Sequence, residues 1–157
     1  MKREGIDFGR FLELEAKDRG RTDLHYLGYL EADVKMSVPG GGFSYLRNFH
    51  PGGGTAYAIS YRPQKIVESL SGGEKPAVLI SGHFHKLAGP MMIRNVWVIL
   101  PGCTCDQTPF MRKKSIEAHV GFGILEMQQD VRGAVRRVRW EETSYYDRGY
   151  HEVMELV

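Results

Sequence analysis

The 157 residues carry 21 basic and 19 acidic side chains, a formal charge of +2, and 42% of them are hydrophobic. That is enough apolar side chain for one core, and the length fits a single domain, residues 1–157, rather than two. A charge so near balance gives no basis for nucleic-acid binding, and no apolar run approaches the roughly 18 residues of a membrane span, so no membrane partner is expected.

The opening MKREGIDFGR has charge but no apolar leader segment, and a soluble, cytoplasmic protein is the expectation. Asp7 before FGRFLELEAKDRG predicts a short helix, with Phe8, Phe11, Leu12 and Glu15 near helical spacing, Asp7 as N-cap and Gly20 past the end. The stretch LHYLGYLEADVKMSVPGGG fits neither period cleanly and reads as a loop with a short strand at residues 32–36. FSYLRNF alternates as a strand and delivers His50 and Pro51 into the glycine-rich HPGGG. Pro63 in the first turn, with Ile66, Val67 and Leu70 along one face, makes RPQKIVESL a helix that Gly72 and Gly73 are expected to stop.

PAVLIS then reads as a buried strand, and NVWVILPG, VGFGILEMQ and AVRRVRWEE as three more, joined by links short enough for hairpins. A helix followed by a continuous apolar strand is the pattern of a parallel or mixed sheet. The predicted class is α/β or α+β, a mixed β-sheet core with few helices, those at its N-terminal side.

ISGHFHK, residues 80–86, sets His83 and His85 behind Gly82 at the carboxyl end of the buried strand. In α/β sheets that is where ligands bind. With six histidines in the chain, H-x-H spacing alone is weak evidence, and two hydrogen-bonded loop histidines explain it as well as two metal ligands do. Gly82 is expected to provide the turn, with Phe84 directed inward.

GHFH after a buried strand, the upstream His50 at another strand end, and LPGCT about fifteen residues later together resemble the C-terminal blocks of the calcineurin-like metallophosphoesterases. The likeness extends over residues 40–128, and it implies half of an αββα sandwich. It further implies His50 and His83 as ligands of one ion of a divalent metal pair and His85 as a ligand of the other, with a phosphoester as substrate. Imidazole suits manganese, iron or zinc without choosing among them. The family's earlier blocks, D-x-H, G-D-x-x-D and G-N-H, have no credible counterpart. Asp23-Leu24-His25 spells the first but follows polar AKDRGRT instead of a buried strand, and Asn48-Phe49-His50 lacks the glycine and second histidine of the third.

The expectation is therefore the C-terminal half of such an enzyme, inactive alone, binding metal weakly or not at all, and completed by an N-terminal half or a second copy. The alternative is a noncatalytic binding or assembly module on the same half-fold. Cys103 and Cys105, two apart, are too close for a comfortable disulfide and point to a reducing compartment. As C-x-C without a second pair they are poor zinc evidence, and a turn after Pro101-Gly102 accounts for them. Arg137 and Arg139, the RKKS at 112–115, and His25, His119 and His151 read as solvated or ordinary residues. Tyr145, Tyr146 and Tyr150 form an aromatic tail suited to packing on a partner.

Overall fold

The computed structural model describes residues 7–52 and 58–145; part of the glycine-rich stretch (53–57), Tyr146, Tyr150 and His151 lie outside the described residues. The class is α+β. Helix α1 (Phe8–Asp18) is followed by β1 (Glu31–Ser37), β2 (Phe43–Phe49), α2 (Tyr61–Ser69), β3 (Val78–Ser81), β4 (Leu87–Ile93), β5 (Val96–Pro101), α3 (Pro109–Lys113), β6 (Gly121–Gln129) and β7 (Val135–Ser144). A five-stranded mixed sheet runs β1-β2-β3-β5-β4, and β6 and β7 form a separate two-stranded ribbon.

β3 is parallel to both of its neighbours, β2 and β5, while the outer pairs β1–β2 and β4–β5 are antiparallel. The central position explains the unbroken apolar runs, because a strand covered on both faces has no solvent side to alternate toward. Val78 and Leu79 of β3 and Val96, Val98, Ile99 and Leu100 of β5 are fully buried or nearly so. Leu79, Val96 and Val98 pack with Val67 of α2, and Phe49, Ile66, Met91 and Ile93 close around them.

α1 forms as its sequence requires: the Asp7 carboxylate accepts the Arg10 amide at 3.4 Å, and Gly20 beyond the C-terminus takes φ +78°. α2 ends before the expected glycines. Leu70 is already extended, and Gly72–Glu74 makes its own single 3-10 turn, capped reciprocally by Ser71 and Glu74. β4 and α3 have no counterpart among the predicted elements. β4 is an edge strand interrupted at Gly89-Pro90, where the register shifts. It turns into β5 through Arg94 and Asn95, both at positive φ, as a two-residue hairpin needs. α3 places one helix after the main strands, and the link from β5 to β6 that contains it is no hairpin.

The β6–β7 ribbon starts beside β4, where a Cβ on Gly121 would lie 3.2 Å from Leu87. Its far end is tied to the β1–β2 hairpin: the Gln129 amide donates to the Met36 carbonyl (3.1 Å) and Ser44 Oγ (3.0 Å), and also to the Gly133 carbonyl of the ribbon's own turn (2.9 Å). The ribbon thus reaches from one edge of the sheet to the other. Its Tyr145 end packs on Phe122, ring centroids 5.8 Å apart. No helix among the described residues is long and apolar enough to cross a membrane.

Candidate metal centre

Parallel pairing of β2 with β3 sets Phe49 beside Ser81, so the residues that follow each strand emerge together at the carboxyl edge of the sheet. His50 is one residue past β2 and His83 two past β3. Backbone bonds hold both exits: the Gly82 amide donates to the Phe49 carbonyl at 3.3 Å, and the His50 amide to the Leu30 carbonyl at 2.7 Å. The His50 and His83 rings lie 4.5 Å apart between centroids, tilted by 47°. Both are exposed on their outer sides.

The turn that carries the histidines is not made by glycine. Gly82 has an ordinary φ, and His83 and His85 themselves occupy the left-handed region at +74° and +54°. For residues with a Cβ that conformation costs about 1–2 kcal/mol each. Two such residues flanking the half-buried Phe84 send the two imidazoles in separate directions. His83 joins His50, whereas His85 Nδ1 stands 3.8 Å from Cys105 Sγ.

Cys103 completes that second group: the ligating atoms of His85, Cys103 and Cys105 all lie within 4.8 Å of one another. Both cysteines are free thiols. Three chain segments meet there through backbone bonds. The His119 amide donates to the His85 carbonyl (2.9 Å), Cys103 to His119 (3.1 Å), Gly121 to Cys103 (2.9 Å) and Gly102 to Lys86 (2.9 Å). His119 fastens the same region with its side chain, accepting the Leu87 amide at Nδ1 (3.1 Å) and meeting Glu117 at Nε2 (3.2 Å). Glu117 also pairs with Lys86 at 3.1 Å. From the sequence, His119 reads as an ordinary residue and the C-x-C pair as poor zinc evidence explained by the turn after Pro101-Gly102. The available signal was position, since Cys103 follows β5 as His83 and His85 follow β3, and β3 and β5 are parallel neighbours.

The electrostatics follow from these neighbours. His83 is held below the ordinary imidazole range, first by partial desolvation and then by the like charges of His50 and His85. Desolvation pushes the Cys103 thiol up, and its Sγ faces the carbonyls of Cys105 (3.3 Å) and His119 (3.4 Å). Glu117 is lowered, chiefly by its bond to Lys86 and then by that to His119.

Two imidazoles with ring centroids 4.5 Å apart suit a shared divalent ion, which needs one nitrogen from each at about 2.0–2.1 Å. Two features count against tight binding. His50 Nδ1 already accepts the Gly52 amide at 3.2 Å. Ligation through Nδ1 displaces that bond, and ligation through Nε2 requires the tautomer with a proton on Nδ1, which also breaks it. Moreover, among the described residues no carboxylate completes a three-donor set with His50 and His83. Asp23, the sequence's nearest approach to an acidic ligand, is held by both ends of the Arg21 guanidinium on an exposed loop. A surface depression of about 610 Å³ lined by Tyr45, Lys75, Ala77 and Arg94 lies at the amino ends of β2 and β3, away from the histidines. No family model, curated protein or solved structure matches this chain.

Proposed function

We propose that this chain provides the imidazole side of a metal-dependent phosphoesterase centre and that the carboxylate ligands come from another segment or a second copy. The observation that carries the reading is the His50–His83 pair, rings 4.5 Å apart at the carboxyl ends of adjacent parallel strands, with His85 two residues further on. In this reading His50 and His83 hold one divalent ion, manganese, iron or zinc, and His85 contributes to the second. A bound metal pair supplies Lewis acidity toward a phosphoester and a water made nucleophilic near neutral pH. The chain's own contribution is positional. The backbone bonds at His50 and Gly82 fix the two ring origins, and the strained turn at His83 and His85 sends one imidazole toward His50 and the other toward Cys105. The lowered affinity of His83 for a proton keeps its nitrogen available for ligation.

The test is manganese binding to the full chain at pH 7.5, followed by the binding of orthophosphate to the manganese-loaded protein. Weak manganese binding, metal-dependent orthophosphate binding, and loss of both in His83→Ala are expected. Aryl phosphate hydrolysis by the chain alone should not exceed a metal-only control. Failure to bind manganese would remove the metal reading. Robust turnover lost in His83→Ala would show that the chain holds a complete centre.

A further inference from the structure

We infer that His85, Cys103 and Cys105 form a thiolate site for a single thiophilic cation, zinc(II), separate from the His50–His83 pair. Only His85 is shared with the phosphoesterase reading, and the inference stands without it.

The donor geometry is close to what zinc requires. Zinc–sulfur bonds of about 2.3 Å and zinc–nitrogen bonds of about 2.0–2.1 Å at tetrahedral angles put ligand atoms roughly 3.6–3.8 Å apart. His85 Nδ1 and Cys105 Sγ are 3.8 Å apart, and every distance within the trio is under 4.8 Å. Rotation of the cysteine side chains is left to close the remainder. His85, Cys103 and the His119 strand entry are already tied by hydrogen bonds of 2.9–3.1 Å.

The strain at His85 has an account here. Its φ of +54° turns its ring away from His83 and toward the cysteines, and a stressed non-glycine residue at a cluster of ligating groups is a functional signature. The chemistry balances without any oxidant: zinc(II) replaces the protons of two thiols, two protons go to solvent, and the resulting site of one imidazole and two thiolates is neutral. Two thiolates select zinc over manganese or magnesium, which prefer oxygen. Three protein ligands leave a fourth position, and the exposed Cys105 puts it on the solvent side, open to water or a substrate oxygen.

The experiment uses cobalt(II) as a spectroscopic stand-in. The reduced, chelator-treated full chain is titrated anaerobically at pH 7.5. One equivalent should give a thiolate-to-cobalt charge-transfer band and the intense visible absorption of a tetrahedral ion, both displaced by zinc. Cys105→Ser, at an exposed position, and His85→Asn, which tolerates the left-handed backbone, should each weaken binding by at least about ten-fold. The His50→Ala/His83→Ala double variant should keep the band. No charge-transfer band in the wild type overturns the inference, as does a Cys103–Cys105 disulfide in place of two titratable thiols. A cobalt signal that survives Cys105→Ser but falls in the double variant also overturns it, and assigns the ion to the imidazole pair.

Discussion

The His50–His83 pair and the His85–Cys103–Cys105 cluster leave the same sheet edge within a few residues of each other, yet they are built on different principles. The first is a product of strand pairing. Two parallel strands end side by side, and whatever follows them meets. Its donors are uniform and exposed, and one is already engaged by the Gly52 amide. The second is assembled by loops, with three segments stitched through the His85, Cys103 and His119 backbones, and its donors are soft and mixed. Proximity comes from topology in one case and preorganisation from hydrogen bonding in the other. Only the second brings three ligating groups together among the described residues.

What the two regions share is β3, and this gives the largest expected effect. Leu79 is fully buried against Val67, Val96 and Val98, so Leu79→Ala leaves a cavity beneath the strand from which both sites hang. A loss of about 2–5 kcal/mol in urea unfolding is expected. Cobalt binding through thiolates and manganese binding through imidazoles should then fail at the same denaturant concentration. If one signal outlives the other, the two sites do not depend on a common scaffold.

Gly102 separates them. It sits at φ +80°, and a Cβ there would lie 3.1 Å from the carbonyls of His119 and Gly121 and 3.3 Å from Leu87. Gly102→Ala should therefore lose about 1–2 kcal/mol from the left-handed backbone alone. It should displace Cys103, the next residue, and weaken cobalt binding while leaving His50 and His83 unaltered. Equal weakening of both metals would mean that the stitched loops also support the strand-end pair.

The difference between the regions also decides what could be read from the sequence. β2, β3 and β5 were legible because alternation and continuous apolar runs report how many faces a strand buries, and the α1 boundary was legible because an aspartate directly before a helical pattern caps its first turn. The meeting of His50 with His83 needed only the guess that both end elements on one sheet edge. β4 was not legible, since Gly89 and Pro90 interrupt its pattern and an edge strand tolerates them. α3 is five residues long, too short for a period, although Thr108 and Pro109 mark its start. The turn assigned to Gly82 falls on the histidines instead, because left-handed conformation there is imposed by the contacts of the loop rather than by residue preference. The His85–Cys103–Cys105 cluster depends on bonds between residues 85, 103 and 119, which no local pattern encodes.

Ser81 offers a smaller perturbation on the strand that serves both sites. It is 1% exposed, and its Oγ has no hydrogen-bond partner among the described residues. A buried hydroxyl without a partner is destabilising by about 1–3 kcal/mol relative to one that is satisfied. Ser81→Ala removes the hydroxyl and the penalty together, so stability should stay the same or rise by up to about 1 kcal/mol. A clear loss, measured by urea unfolding of the metal-free chain, would mean that Oγ is satisfied in solution by a trapped water between the strand and the site.

The smallest effect concerns protons at the pair itself. His83 lies below the ordinary 6.5, so as pH falls past that value the unfolded chain takes up a proton before the folded chain does. Stability associated with His83 is therefore full above about pH 6.5, declines as pH drops toward the folded value, and levels off below it. With the ring largely solvated, the urea midpoint should shift only slightly between pH 7.5 and 5.5, and by less in His83→Asn. An NMR titration of the His83 ring separates the causes. His50→Ala removes one like charge and should move the His83 midpoint upward, but not as far as 6.5, because desolvation is the larger contribution and remains. A midpoint unmoved by His50→Ala would show that the two rings do not stand together, and the strand-end pair would lose its claim to be a site.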